Sequence, residues 1–238
     1  MKYGKTLRAE FIERKNRFTA EVLLGGVPQT VHVRNTGRLS NLLVRGAEVW
    51  LEVSDNPSRK TKYDLITVRD SFGRLFNIDS TAPNKVAREW LDRLGFDLIK
   101  PEHAYGESRI DFYMERGGER FLMEVKGCTL VRGGVGYFPD APTERGVRHL
   151  RELARAANEG YRAAVCFVIQ TDGVSAVQPN AEIQPDFASE LERAKSAGVE
   201  VLYLRCHVEE DGIAAITENT SEKPEKPEKQ EKPETSGM

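Results

Sequence analysis

Residues 1–80 alternate between apolar and polar positions over short runs. RAEFIERKNRFTAEVLL, QTVHVR, AEVWLEV, YDLITVRD and GRLFNID are β-rich stretches separated by GG, NTG, DNPSRK and DSFG, all turn formers. Ala47, Val49, Leu51 and Val53 alternate with Glu48, Trp50 and Glu52, a period of two. Five or six short strands within one small segment predict a β-barrel of the OB type. Beyond residue 80 the period changes. NKVAREWLDRLG (84–95) predicts a helix capped by Asn84, with Val86, Trp90 and Leu94 on one face and Gly95 at its end. Residues 143–158 predict a second helix with Val147, Leu150, Ala154 and Ala157 inward. YRAAVCFVIQ reads as a buried strand, ASELERAKSAG as a helix and VEVLYLR as a strand. The expected architecture is therefore α/β with a mixed sheet: a barrel over 1–80, an α/β domain over 81–217, and a tail over 218–238. The tail repeats E-K-P without an aromatic or branched apolar residue, which predicts disorder.

The hairpin over 109–127 carries the chemistry. Gly117-Gly118 forms a two-residue turn, because Gly adopts positive φ at little cost. Arg116 then pairs with Glu119, Asp111 with Glu124, and Arg109 with Lys126. In that register Ile110, Phe112, Met114, Phe121, Met123 and Val125 share one face. Arg109, Asp111, Tyr113, Glu115, Arg120, Leu122, Glu124 and Lys126 share the other. Two opposed carboxylates repel unless a counter-charge joins them. Mg²⁺ takes one or two carboxylates together with water and phosphate. Lys126, two residues past Glu124, is suited to orienting or deprotonating a water, or to stabilising charge on a phosphate. This is equipment for metal-assisted phosphodiester hydrolysis. The bland alternative is a solvated face on which Arg109 and Lys126 neutralise the two acids.

Several stretches, in order, closely resemble the sugar fermentation stimulation protein A (SfsA) family. They are ERKNRF (13–18), NTGR (35–38), NPSRKTKY (56–63), APNK (82–85), YGESRIDF (105–112), EVKGCTL (124–130), FPDAPTERGVRHLREL (138–153) and GVEVL (198–202). The resemblance covers about residues 1–215. It implies an N-terminal OB-like domain and a C-terminal PD-(D/E)xK nuclease-like domain. It also implies DNA binding with little sequence preference and a role in regulating sugar (maltose) metabolism. Asp111 and Glu124 match the two acidic residues of the nuclease motif and Lys126 its lysine. Glu89, on the preceding helix, matches the place where some such nucleases add a further metal-binding carboxylate. The motif's proline is replaced by Ile110, and Pro142 stands where an aliphatic residue is expected.

Charge is uneven along the chain, with a basic front suited to a polyanion and an acidic rear, unless this is ordinary variation between solvated surfaces, the reading that charge alone favours. Residues 1–80, 81–220 and 221–238 carry nets of +5, −6 and −1, which account for the overall −2 of the 238-residue chain. Arg14 and Arg17, with Lys15 and Asn16, form one basic turn. Arg34 and Arg38 flank a second, and Arg59 and Lys60, with Lys62, a third. These are candidate DNA contacts, RNA not being excluded, with Phe18, Trp50 and Tyr63 nearby. Phe18 is expected to fill the barrel. Arg109 is a further phosphate candidate, as are Arg145 and His149, one helical turn apart, unless they form a charged outer face. Glu102 is an extra carboxylate or plain surface.

Other classes recede. GGVGYF lacks both the P-loop and the dinucleotide spacing, so no nucleotide cofactor is expected. Cys128, Cys166 and Cys206 are too few and too scattered for a disulfide framework or a zinc site and read as reduced thiols. No run approaches the roughly 18 apolar residues of a membrane span, and MKYGKTLRAEF does not resemble a signal peptide, so a cytoplasmic protein without a membrane partner is expected. The reading is a DNA-binding protein with an Mg²⁺- or Mn²⁺-dependent nuclease-type site at Asp111, Glu124 and Lys126. The alternative is a non-catalytic DNA-binding regulator with a vestigial site. The sequence leaves oligomeric state open.

Overall fold

A computed structural model of the chain describes residues 1–216. The expected tail over 218–238 lies outside the described residues. Six strands build the first unit: β1 (Thr6–Arg14), β2 (Thr19–Leu24), β3 (Val27–Val33), β4 (Glu48–Val53), β5 (Tyr63–Arg69) and β6 (Leu75–Asn77). They follow the order β3-β2-β1-β4-β5-β6, and a parallel pairing of β3 with β5 closes the first five into a barrel. Alternation is the cause: inward positions such as Phe11, Val22, Val31, Val49, Leu51 and Leu65 form one buried cluster. The first β-rich run folds as β1 and β2, parted at the basic turn. Asn16 breaks it by accepting hydrogen bonds from the backbone N–H groups of Phe18 and Thr19.

The second unit opens with α1 (Ala82–Leu91), then β7 (Leu98–Tyr105), β8 (Ser108–Arg116), β9 (Glu119–Cys128), β10 (Leu130–Arg132), β11 (Val135–Phe138), α2 (Glu144–Asn158), β12 (Arg162–Ile169), β13 (Val177–Pro179), α3 (Pro185–Ser196), β14 (Glu200–Glu209) and β15 (Gly212–Ala215). Its main sheet runs β15-β14-β12-β9-β8-β7. The β9-β12-β14 neighbours are parallel and the outer pairs antiparallel, so the sheet is mixed. α2 and α3 cover one face, with Leu150, Leu153, Phe187 and Leu191 against Leu122 and Val165. α1 covers the other, with Val86 and Leu91 against Phe112 and Met123. The strand that carries the expected motif is thus central and covered on both sides.

One detail corrects the sequence reading. α1 starts before Asn84, with Thr81 at its N-cap and Pro83 in its first turn, where a missing N–H costs nothing. Asn84 is released from capping and reaches β8. α2 begins as expected, because the Thr143 hydroxyl accepts from the Gly146 N–H at 3.0 Å.

The two units are joined by polar contacts. Gln170, just past β12, donates to the Asn77 and Asp79 carbonyls at 2.9 and 3.2 Å. Gly127 makes this possible: a Cβ there would lie 2.4 Å from the Gln170 side-chain oxygen. The chain start crosses the joint too, with the Ile213 N–H donating to the Met1 carbonyl at 3.0 Å. The three cysteines are free and buried. No described helix is long and apolar enough to cross a membrane.

Candidate functional site

The β8–β9 hairpin keeps the expected register from Arg116–Glu119 to Phe112–Met123, and there its ladder stops. Asp111 and Glu124 are therefore not a ladder pair, nor are Arg109 and Lys126. The neighbouring ladder breaks at the same level: β7 pairs Pro101 with Phe112 and then His103 with Ile110, skipping Glu102, whose φ is +54°. The kink reverses the alternation of β8. Ile110 joins Tyr113 and Leu122 beneath α2 rather than Phe112 beneath α1. Nor is the expected polar face solvated throughout: Tyr113, Leu122 and Glu124 are buried beneath α2, while Arg109 and Arg120 stay exposed.

Where the ladder opens, the Asp111 side chain enters. One carboxylate oxygen accepts from the Val125 N–H and the other from the Asn84 amide, each at 2.7 Å. Glu124 is 2 % exposed. Its Oε1 accepts from Lys126 Nζ at 2.6 Å and pairs with His149 Nδ1. Its Oε2 is buried and has no hydrogen-bond partner. Asp111, Glu124 and Lys126 line one cleft of about 600 Å³, with Asn84, Glu102 and Arg145. Thr36 and Ser80 close it from the barrel side.

The two acids are held differently. Burial, and then the charge of Glu124, push Asp111 above the usual carboxylate range, and its two hydrogen bonds only partly offset this. Burial would also raise Glu124, but the hydrogen bond with His149 and the charge of Lys126 outweigh it and hold Glu124 low. A carboxylate kept ionised in the interior with one oxygen unmet is costly, by about 1–3 kcal/mol or more for a charged group, unless something meets it. Among the described residues no three His, Cys, Asp or Glu side chains converge as a metal cage. Two carboxylates with an orphaned oxygen still fit the donor set of a hard cation that keeps water and phosphate ligands.

The other expected site residues divide sharply. Glu89 lies outside the cleft, half exposed and 2.8 Å from the Met1 amino group. It sits five residues past Asn84, about 140° around the helix at 3.6 residues per turn. Asn84 is the α1 residue that meets Asp111. Arg14 is structural: its guanidinium donates to the carbonyls of Arg17, Asn35, Gly37 and Arg38 at 2.6–2.9 Å, tying two loops together. Arg34 donates to Asp64 at 2.7 Å and pairs with Glu52 and Asp79. Arg59 grips both Asp64 oxygens at 2.6 and 2.7 Å. Arg17, Arg38, Lys60, Arg109 and Arg145 are exposed. Phe18 does not fill the barrel but stands 52 % exposed on the β1–β2 turn. His149 is 1 % exposed and makes no surface contact. Gly146, His149, Leu153 and Ala156 are all buried on α2. Their three-and-four spacing was the sequence signal that His149 faces inward.

A closed OB barrel joined to a mixed-sheet α/β domain, with two acids and a lysine in one cleft where the central hairpin's ladder breaks, defines the class: an OB barrel followed by an α/β unit. Family models give it a name: the SfsA N-terminal OB domain matches residues 12–78, and the sugar fermentation stimulation protein RE domain matches residues 81–212. A sugar fermentation stimulation protein homolog of Desulfitobacterium hafniense is 47% identical over 218 residues, spanning 90% of this chain and 95% of its own. A homolog of Ruminiclostridium cellulolyticum is 45% identical over 88% and 94%. The solved structure of Pyrococcus furiosus SfsA in complex with Ca²⁺ has a TM-score of 0.81 at 31% identity, covering 90% of this chain and 95% of that one. The chain belongs to the sugar fermentation stimulation protein family.

Proposed function

We propose that the protein binds DNA along the cleft and hydrolyses a phosphodiester bond there with the help of a divalent cation, Mg²⁺ or Mn²⁺. The observation that carries this reading is Glu124 Oε2, a buried carboxylate oxygen without a partner, in the same cleft as Asp111 and Lys126. Asp111 and Glu124 would hold the ion, which would supply a polarised water and positive charge at the phosphate. The Pyrococcus furiosus relative was solved with Ca²⁺, a cation that takes the same oxygen donors. Lys126, held 2.6 Å from Glu124, would orient the attacking water or stabilise the developing charge. Arg145 and the N-terminus of α2, which both border the cleft, suit the flanking phosphates.

The test is a cleavage assay on single- and double-stranded DNA and RNA, with and without Mg²⁺ or Mn²⁺, on the full chain and on Lys126→Ala. Metal-dependent cleavage that falls on the order of 100-fold or more in the variant is the expected result. Equal cleavage by both proteins overturns it.

One feature favours a second reading. Lys126 and His149 both sit on Glu124, as they would in a self-contained structural cluster. In that reading the protein is a non-catalytic DNA-binding regulator. Binding would then weaken steeply with salt, and no divalent ion would produce nicking.

A further inference from the structure

Resting on the reading of Asp111 and Glu124 as cation ligands, we propose that His149 is a two-sided positioning residue. Its Nδ1 side aims the free oxygen of Glu124 at the cation, and its Nε2 side aims Arg145 at the substrate phosphate.

The bonds fix the ring's state. Arg145 Nε donates to His149 Nε2 at 3.2 Å. A guanidinium has no acceptor, so Nε2 must supply a lone pair and the ring proton must sit on Nδ1. Nδ1 therefore donates to Glu124 Oε1. No other arrangement of protons satisfies both contacts. The imidazole is buried in α2 against β9, so its bond to Glu124 does not compete with bulk water, whereas its bond to Arg145 is half-buried at the edge of the cleft.

Each side has a consequence. Lys126 Nζ and His149 Nδ1 both meet Oε1, which leaves Oε2 as the oxygen without a partner. Without the imidazole, Glu124 is held by one flexible lysine, and its carboxylate is free to turn. On the other side, Arg145 is exposed at the cleft, and among the described residues its only hydrogen bond is the one to His149. That bond uses Nε and leaves the two terminal nitrogens for a phosphate, the fork geometry suited to such a group. A single ring thus couples the cation side of the cleft to its anion side. Glu102, Asp111 and Lys126 are the other charged groups of the cleft, and none bonds to the imidazole.

Two amide substitutions separate the roles. An Asn amide nitrogen reaches the position of Nδ1, so His149→Asn keeps the donor to Glu124 and loses the acceptor for Arg145. His149→Gln places its amide near Nε2, keeping an acceptor for Arg145 and losing the donor to Glu124. Mn²⁺ affinity is measured by calorimetry on substrate-free protein. Binding of a fluorescent DNA duplex is measured by anisotropy in Ca²⁺, with thermal melts to confirm folding.

His149→Ala and His149→Gln should lose about 10–100-fold in Mn²⁺ affinity, the usual cost of removing a group that orients a metal ligand. His149→Asn should stay near wild type for Mn²⁺ but bind the duplex several-fold more weakly, as Arg145→Ala should. Unchanged Mn²⁺ affinity in His149→Gln overturns the Glu124 side. Wild-type duplex affinity in His149→Asn overturns the Arg145 side. Equal losses for Asn and Gln on both readouts reduce His149 to plain packing and overturn the proposal. If the wild-type chain takes up no Mn²⁺, the reading of the acids as cation ligands falls first, and the inference with it.

Discussion

Asp64 in the barrel and Glu124 in the α/β domain are buried alike, at 1 % and 2 % exposed, but they are completed differently. Both Asp64 oxygens are met. Arg59 reaches each, Arg34 joins one at 2.7 Å and His32 the other at 2.7 Å. Glu124 receives both of its partners on one oxygen and none on the other. A buried acid with every lone pair answered holds the fold; one left half answered in a cleft has an oxygen that, under the proposed function, a cation would meet. The comparison also explains why the barrel's basic residues do not act as a set. Arg34 and Arg59 are committed to Asp64, whereas Arg17, Arg38 and Lys60 remain exposed.

The largest expected effect is on the barrel. Asp64→Ala leaves Arg59 without its acid and takes one of three acids from Arg34, and should destabilise the protein by about 3–5 kcal/mol, the cost of breaking a buried ion pair from one side. Urea unfolding measures it, and a loss below about 1 kcal/mol would dissolve the contrast. Burial alone would raise Asp64, but Arg59, His32 and Arg34 outweigh it and hold it well below the usual range. Its contribution is therefore complete above the unfolded value of about 3.9 and fades only as pH falls toward the lower folded value. The gap between wild type and Asp64→Asn should stay constant from about pH 7 to 5 and narrow below about pH 4.

Next in size, Glu124→Gln should reduce metal-dependent cleavage on the order of 100-fold or more. Its unfolding free energy should shift by less than about 1 kcal/mol, because removing an unmet buried charge offsets the weakened bonds. A stability loss matching that of Asp64→Ala would place Glu124 in the structural class instead. A smaller effect should appear as ligand-linked stability. Mn²⁺ at 100 times its dissociation constant should add about 2.7 kcal/mol to wild type and nothing measurable to Glu124→Gln. The smallest effects belong to the surface. Arg17→Ala, Arg38→Ala and Lys60→Ala should each weaken DNA binding modestly and lower the slope of affinity against salt by about 1. Arg59→Ala should instead lower stability. Unchanged salt slopes in all three surface variants would remove the barrel loops from the DNA contact.

Much of this arrangement was legible in the chain. Period-two alternation specified the barrel strands, and the Gly117-Gly118 turn specified the hairpin register as far as Phe112–Met123. What lay beyond local pattern was missed for identifiable reasons. The reversal at Asp111 lies opposite the positive φ of Glu102 in the adjacent strand, which nothing in the hairpin's own sequence encodes. Arg34 and Arg59 read as surface because their shared acid, Asp64, is brought to Arg34 by the pairing of β3 with β5. Glu89 was misplaced because Pro83 lets α1 begin before Asn84, which turns Asn84 rather than Glu89 toward β8. The inward spacing of His149 was readable, but its polarity drew attention to the surface.

The sequestered sulfur atoms have a practical use. Burial pushes Cys128 and Cys166 up to about 12 and Cys206 higher still, so at neutral pH none offers an appreciable thiolate to a maleimide. A single cysteine engineered in place of Phe18 would be the one reactive handle on the native protein. A dye could then be installed on the β1–β2 turn without first stripping the interior of its own thiols.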